Sequence, residues 1–447
     1  MPNERTTAGA ATAPAAPAAP ARSPLRVAYD LSSLGLGHAD RLHRTGIFRV
    51  VERQATDLLG ARECEVTFTA LRSPTLFAYT ADFLRASPAL RGGTLAGTQP
   101  GLGVVKRLLE AHASRQGGPG ASVATKAYRR VLLHSRKVLE ATAGAAFPAR
   151  APDADVFHSP RFALPAPART GRAARFLTFY DLIPILLPDN CSPGGVRELE
   201  QIVRSLRPDD WAFAISESAR DDLCEYRPDL DPARVIVTPL AADPVLFHPV
   251  HDPERLRAVR ERYGIPEGPY LLSLNTLDPR KNMERAVRAF TRAAREGAPD
   301  LSFVLVGSKS PQLSRLGEVA RRAGVAPERL VLAGYVADDD LAAVYSGALG
   351  FVFPSLYEGF GLPPLEAMQC GVPVITSNNS SLPEVVGGAG IMIDPTDEDA
   401  LSQAMLDVYR DGRLRERLRE LSLARAREFS WARFTEQTVA GYRAALA

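Results

Sequence analysis

The chain has 447 residues, 45% of them hydrophobic and 23% charged, with a net charge of +3. That length exceeds one ordinary core and predicts two or three domains, the charge is too small for a nucleic-acid partner, and no apolar run approaches the roughly 20 residues of a membrane span. Cys64, Cys191, Cys224 and Cys370 stand far apart with no metal-type spacing, which speaks against a zinc site or a disulfide framework and for a reducing, cytoplasmic setting. Residues 1–24 are rich in Ala, Pro and Thr, with neither a charged n-region nor an apolar core; they read as a disordered tail, not a signal peptide.

From Pro24 onward, short β-rich runs alternate with helical patterns, the signature of an α/β protein with parallel sheets covered on both faces. Strands are expected at Arg26–Asp30, Val66–Ala70, Asp155–His158, Ala174–Asp181, Trp211–Ser216 and Val235–Pro239, with a helix at Phe48–Leu59. The alternation then restarts, with strands at Tyr270–Asn275, Ser302–Gly307, Leu330–Val336, Gly350–Pro354, Val374–Ser377 and Ile391–Asp394. Two consecutive doubly wound units are implied, residues 25–245 and 246–428, with a linker near Asp243 to Asp252. Ligands of such units sit beyond the carboxyl ends of the strands, so a cleft between the two is the expected site. Ser430 reads as the cap of a last helix within 429–447. The segment 92–150 is an insertion: between Gly101 and Arg150 it carries nine Lys plus Arg against two Glu. This reads either as a solvated basic helix or as an acceptor-side surface peripheral to an anionic membrane face.

The most informative stretch is Phe353 to Met368. A buried strand ends at Pro354, Gly359 and Gly361 permit a tight turn, and Pro363 and Pro364 suit a first helical turn. Backbone N–H groups of Phe360, Gly361 and Leu362 are expected to point outward at a helix start, where partial positive charge favours a phosphate or diphosphate. Glu358 and Glu366 flank that turn as acceptors for sugar and ribose hydroxyls. A diphosphate leaving group also needs cations when no metal site is evident, and Arg280 and Lys281 follow a strand and the turn Asp278-Pro279 at the mouth of the same cleft. A dinucleotide fingerprint after the first strand fails, because Asp40 stands where the third glycine belongs.

These residues resemble the retaining GT-B glycosyltransferases of glycosyltransferase family 4, whose signature is two glutamates separated by seven residues, here Glu358 and Glu366. Leu274 to Asn282, Gly371 to Ser377 and Leu382-Pro383-Glu384-Val385 extend the likeness. It implies a GT-B fold of two Rossmann-like, doubly wound domains facing across a cleft, with the last helix crossing back to the first domain. It implies a phosphate-binding role for Lys281, and places Asn275 and Thr276 where relatives carry Gly and Arg, so that Arg280 serves instead. It implies glycine contacts to the diphosphate from Gly37, in Gly35-Leu36-Gly37, and from Gly46, a base pocket near Gly334-Tyr335-Val336, and acceptor-side chemistry beside Tyr180-Asp181, where a His commonly precedes the Asp. With Tyr180 in that place, Asp181 and His158 become the acceptor-side candidates. The implied activity moves a hexose of mannose or glucose type, with retention, from a nucleoside diphosphate sugar to a glycan, lipid-linked or small-molecule acceptor. Beyond the donor substrate it needs no cofactor and no metal. A nucleotide-sugar epimerase and a non-catalytic nucleotide-sugar-binding protein are the alternatives.

Overall fold

The computed structural model describes residues 23–40, 46–98, 102–105, 149–274, 278–307, 311–322 and 324–447, with isolated helical positions between 107 and 138. The tail 1–22, Arg44, Thr45, Asn275, Thr276 and most of the basic insertion lie outside the described residues.

A seven-stranded sheet runs in the order β3-β2-β1-β4-β5-β6-β7, with β1 Leu25–Asp30, β2 Cys64–Thr69, β3 Thr94–Leu95, β4 Val156–Ser159, β5 Ala174–Phe179, β6 Trp211–Ala214 and β7 Val235–Val237. A six-stranded sheet follows in the order β10-β9-β8-β11-β12-β13, with β8 Tyr270–Leu274, β9 Ser302–Val306, β10 Leu330–Gly334, β11 Gly350–Phe353, β12 Val374–Ser377 and β13 Gly390–Ile393. Every pairing among these strands is parallel, so each strand needs a crossover, and helices supply most of them. β4, β9 and β11 are buried along their whole length. This is why these runs read as continuously apolar and not as alternating. The short β3 was not expected; it lies inside the insertion, and two residues carry no usable period.

Strand order reverses between β1 and β4 in the first sheet and between β8 and β11 in the second. These are the topological switch points at which ligand crevices form. The segment after β8 carries Arg280 and Lys281, and the segment after β11 carries Glu358. Their distance in sequence is therefore cancelled by the adjacency of their strands.

The last helix ties the halves together. The helix Trp431–Ala444, capped by Ser430, packs on the first half: Tyr442 Oη lies 2.5 Å from His158 Nδ1, and Gln54 Nε2 donates to Thr438 Oγ1 at 3.3 Å. A Cβ at Gly441 would lie 2.6 Å from the Phe213 ring, so the helix sits closer to β6 than any larger residue allows. Within the second half, the helix Pro253–Tyr263 is fastened through Arg255 and Arg262, which grip the buried Asp340 at 2.5 and 2.7 Å.

Gly35-Leu36-Gly37 departs from expectation. It lies within a helix, Ser32–Ala39, not in a loop. A Cβ at Gly35 would come within 2.3 Å of Thr80 Oγ1 and 2.8 Å of Thr80 N. This glycine therefore serves the close crossing of two helices, Ser32–Ala39 and Pro74–Ala86.

Candidate active site

The turn after β8 is built by local polar chemistry. Asp278 Oδ1 accepts the N–H of Arg280 at 2.9 Å, and Asn282 adopts a left-handed conformation, φ 58°. Its Nδ2 donates to Pro354 O at 3.0 Å and Pro395 O at 2.7 Å, while the N–H of Leu356 donates to Arg280 O at 2.8 Å. These bonds fasten the turn to the end of β11. As a result Lys281 Nζ lies 2.6 Å and Arg280 Nη1 2.8 Å from the same Glu358 Oε1, with all three side chains nearly buried. Burial works against the Glu358 carboxylate, but Lys281 and Arg280 outweigh it and leave its pKa below the ordinary value. Burial lowers the Lys281 pKa, and Glu358 partly offsets this. With all three groups ionised, two cations face one anion, a surplus of positive charge held away from water where it acts strongly on an incoming anion.

The turn that follows is shaped by close approach. A Cβ at Gly359 would lie 2.6 Å from Tyr180 O and 2.9 Å from Asp181 Cβ, so only glycine fits where the halves meet. Gly361 has φ 114°, a region glycine enters without steric cost. The helix Leu362–Gln369 starts here, and Pro363 and Pro364 have no N–H to offer. The outward donors narrow to those of Phe360, Gly361 and Leu362, none of which meets an acceptor among the described residues. Ser380, itself at φ 48°, accepts the N–H of Glu358 at 3.0 Å, and Ser381 Oγ donates to Glu358 O at 2.9 Å and Phe360 O at 2.7 Å. The loop after β12 thus holds the turn in place.

Glu366 stands one helical turn on, where Tyr345 Oη donates to its Oε2 at 3.0 Å. Its accessible surface is intermediate, yet enough protein surrounds the carboxyl that desolvation pushes its pKa up to about 7. Arg49, from the first half, opposes that shift and pairs with Asp338 at 2.7 Å. A Cβ at Gly46 would lie 3.8 Å from Leu362 Cδ1, which brings the start of the helix Gly46–Gly60 over the start of Leu362–Gln369. Tyr335 is 76% exposed, whereas Val336 is buried and offers its backbone alone.

On the facing side, Asp181 Oδ1 accepts the N–H of Ile183 at 2.9 Å, and burial raises the pKa of this carboxyl to about 6. His158 does not reach the cleft. It is fully buried, with Nε2 2.8 Å from Thr178 Oγ1 and Nδ1 on Tyr442, and burial lowers its pKa to about 3. Both ring nitrogens are taken, so it is a core histidine. Gly37, buried in its helix, offers no phosphate loop.

Sequence reasoning missed the groups that bridge the halves. Glu384 Oε2 and Oε1 accept the N–H groups of Glu217 and Ser218 at 2.8 and 3.0 Å, and Ser216 Oγ donates to Gly359 O at 2.7 Å. Tyr357 Oη donates to Asp222. The run Ser216-Glu217 after a strand is a legible helix cap, but nothing in it names a partner in the other half.

Two parallel doubly wound sheets enclosing such a site define a GT-B glycosyltransferase. The family model for glycosyl transferases group 1 matches residues 257–423. O-antigen chain mannosyltransferase B of Escherichia coli is 35% identical over 292 residues, 64% of this chain and 74% of that protein. The chain belongs to this family. Serotype-specific mannosyltransferase WbdA of Escherichia coli is 32% identical over 336 residues, which cover 72% of this chain and 40% of the relative; the chain thus spans under half of that longer protein. Sucrose-phosphate synthase from Thermosynechococcus elongatus superposes with a TM-score of 0.61 at 19% identity, covering 94% of this chain and 99% of its own.

Proposed function

We propose that the protein transfers a mannosyl unit, with retention and without a metal, from a nucleoside diphosphate mannose to a hydroxyl of a glycan or lipid-linked acceptor. The observation that carries this reading is the shared Glu358 oxygen. Two cations converge on it beside three N–H groups at a helix start that meet no acceptor among the described residues, an arrangement suited to a diphosphate whose charge grows as the glycosidic bond breaks. Arg280 and Lys281 bind the leaving group, and Phe360, Gly361 and Leu362 donate to it. Glu358 keeps Oε1 on the cations and turns its other oxygen to sugar hydroxyls. Glu366 accepts from the ribose diol, with Tyr335 and the Val336 backbone near the base. Asp181, across from Gly359, orients the acceptor hydroxyl, and the departing diphosphate takes up its proton on the same face. Charge on the leaving diphosphate is neutralised by Arg280 and Lys281. Mannose is favoured by the names of the relatives, and the acceptor class by the O-antigen chain of one of them.

The test is consumption of GDP-mannose and UDP-glucose with and without a mannan oligosaccharide in the presence of EDTA, with the product anomer read by NMR. Acceptor-dependent formation of an α-mannoside supports the reading. Consumption without an acceptor product favours the epimerase alternative, and binding without turnover the non-catalytic one. In the Asp181→Asn variant acceptor transfer is expected to fall by about 10² while donor binding persists.

A further inference from the structure

We propose that Glu384 is a positioning residue, a latch that joins the facing halves and sets the catalytic turn by holding the N-terminus of the helix Glu217–Tyr226. This rests on the reading of the turn after β11 as the donor site.

Four observations converge. Glu384 belongs to the second half, on the short helix Leu382–Val386, whose carbonyls at Glu384 and Val385 are bound by Arg425 from the helix Gly412–Ala426. Its carboxylate leaves that half and takes two consecutive N–H groups of a helix in the first half, those of Glu217 and Ser218. These are donors that helix geometry leaves without internal partners. A carboxylate there gains charge-assisted bonds and the favourable end of the helix dipole.

The same helix reaches the catalytic turn twice more. Its cap Ser216 spends its hydroxyl proton on Gly359 O while accepting the N–H of Ala219 at 3.0 Å, and Asp222, one turn on, accepts from Tyr357. Tyr357 and Gly359 bracket Glu358. One helix of the first half is therefore bound to both neighbours of the glutamate that holds Arg280 and Lys281, and Glu384 supplies the only carboxylate on that helix start from the other half among the described residues. Separating the halves breaks these bonds together, because they spring from one rigid element. Glu217 cannot replace Glu384, since its side chain is paired with Arg220 at 2.7 Å.

Among the described residues the Glu384 carboxylate bonds to Glu217 and Ser218 and to none of the proposed diphosphate and nucleotide contacts, Arg280, Lys281, Phe360 to Leu362, Glu366 and Tyr335, so its loss is expected to act on closure and turnover more than on nucleotide affinity. The test uses the full chain as wild type, Glu384→Ala, Glu384→Gln and Tyr357→Phe. Three readouts are taken: nucleoside diphosphate affinity by calorimetry against UDP, GDP, ADP and TDP, release of nucleoside diphosphate from the sugar donor, and radius of gyration by small-angle scattering. Glu384→Ala is expected to keep nucleotide affinity within about twofold, to lose turnover by about 10- to 100-fold, and to scatter as a more open particle. Glu384→Gln retains one acceptor oxygen and is expected to fall between, with Tyr357→Phe smaller in the same direction. Wild-type turnover and scattering in Glu384→Ala, or loss of nucleotide affinity in step with turnover, overturns the proposal. Should Glu384→Ala fail to fold, Glu384→Gln and Tyr357→Phe decide by the same readouts. If the wild type neither binds a nucleoside diphosphate nor turns over a donor, the transferase reading fails, while the scattering comparison still decides the latch.

Discussion

The two halves of the cleft use charge differently. On the side of β8 and β11, Arg280, Lys281 and Glu358 are buried, bonded to one another and fixed by Asp278, Asn282 and Ser380. On the facing side Asp181 stands in a short turn, the histidine nearest in sequence lies inside the core, and Gly35, expected in a loop, packs one helix on another. A preorganised charge cluster belongs where charge develops in a transfer reaction, and among the described residues the second half supplies it. The other half supplies a surface that closes on it, through Gly359, Ser216 and the helix start at Gly46.

Substitutions test that contrast, with the largest effect expected at the cluster. Lys281→Ala is expected to cost about 10² to 10³ in turnover with the fold retained, by steady-state kinetics and circular dichroism. A loss below tenfold would mean that the cluster is structural. Gly359→Val inserts a side chain where a single Cβ already meets Tyr180 O at 2.6 Å. Displacing the turn by about an ångström is expected to cost about 10²-fold in turnover, accompanied by a more open particle in scattering. Wild-type scattering and rate in this variant would show that the halves do not need this contact.

Glu366 gives a smaller, pH-dependent effect. Its pKa of about 7 in the fold, against an ordinary 4.5, means that acid removes its charge just below neutrality. The donor KM is expected to rise as pH falls through 7, and Glu366→Gln is expected to abolish this slope while raising KM about tenfold at pH 8. A slope that survives in Glu366→Gln belongs to another group. The same shift has a consequence for stability: the folded form holds this proton more tightly than the unfolded chain, so the contribution is fully present below pH 4.5 and is lost as pH rises through about 7. The smallest effect on turnover is expected at His158. His158→Gln should lower the melting midpoint and leave the rate per folded molecule unchanged, and a selective loss of rate would return His158 to the site.

Much of this was legible in the sequence, for identifiable reasons. Short β-rich runs mark strands, and twelve of the thirteen described strands fall where such runs place them. The convergence of Lys281 and Glu358 is legible because strand–turn–helix units fix where a side chain lands: each follows a strand, and those strands are neighbours at the switch point. The first half was read less well because glycine is ambiguous. Gly35 and Gly37 fit a phosphate loop or a helix crossing equally, and Thr80, which decides between them, is far along the chain. His158 was ambiguous for the same reason, since its partner Tyr442 lies 284 residues away. The contacts of Glu384 and Ser216 join residues of opposite halves and carry no local period at all.

Arg280, Lys281 and the N–H groups at Phe360 to Leu362 are proposed to form a diphosphate site. The most direct measurement is the shift in unfolding of wild type and Lys281→Ala with UDP, GDP, ADP, TDP and NAD. One nucleoside diphosphate at about 100 times its dissociation constant should stabilise the wild type by roughly 2.7 kcal/mol, and Lys281→Ala should lose that shift. No shift with any diphosphate, or the same shift in the variant, would contradict it.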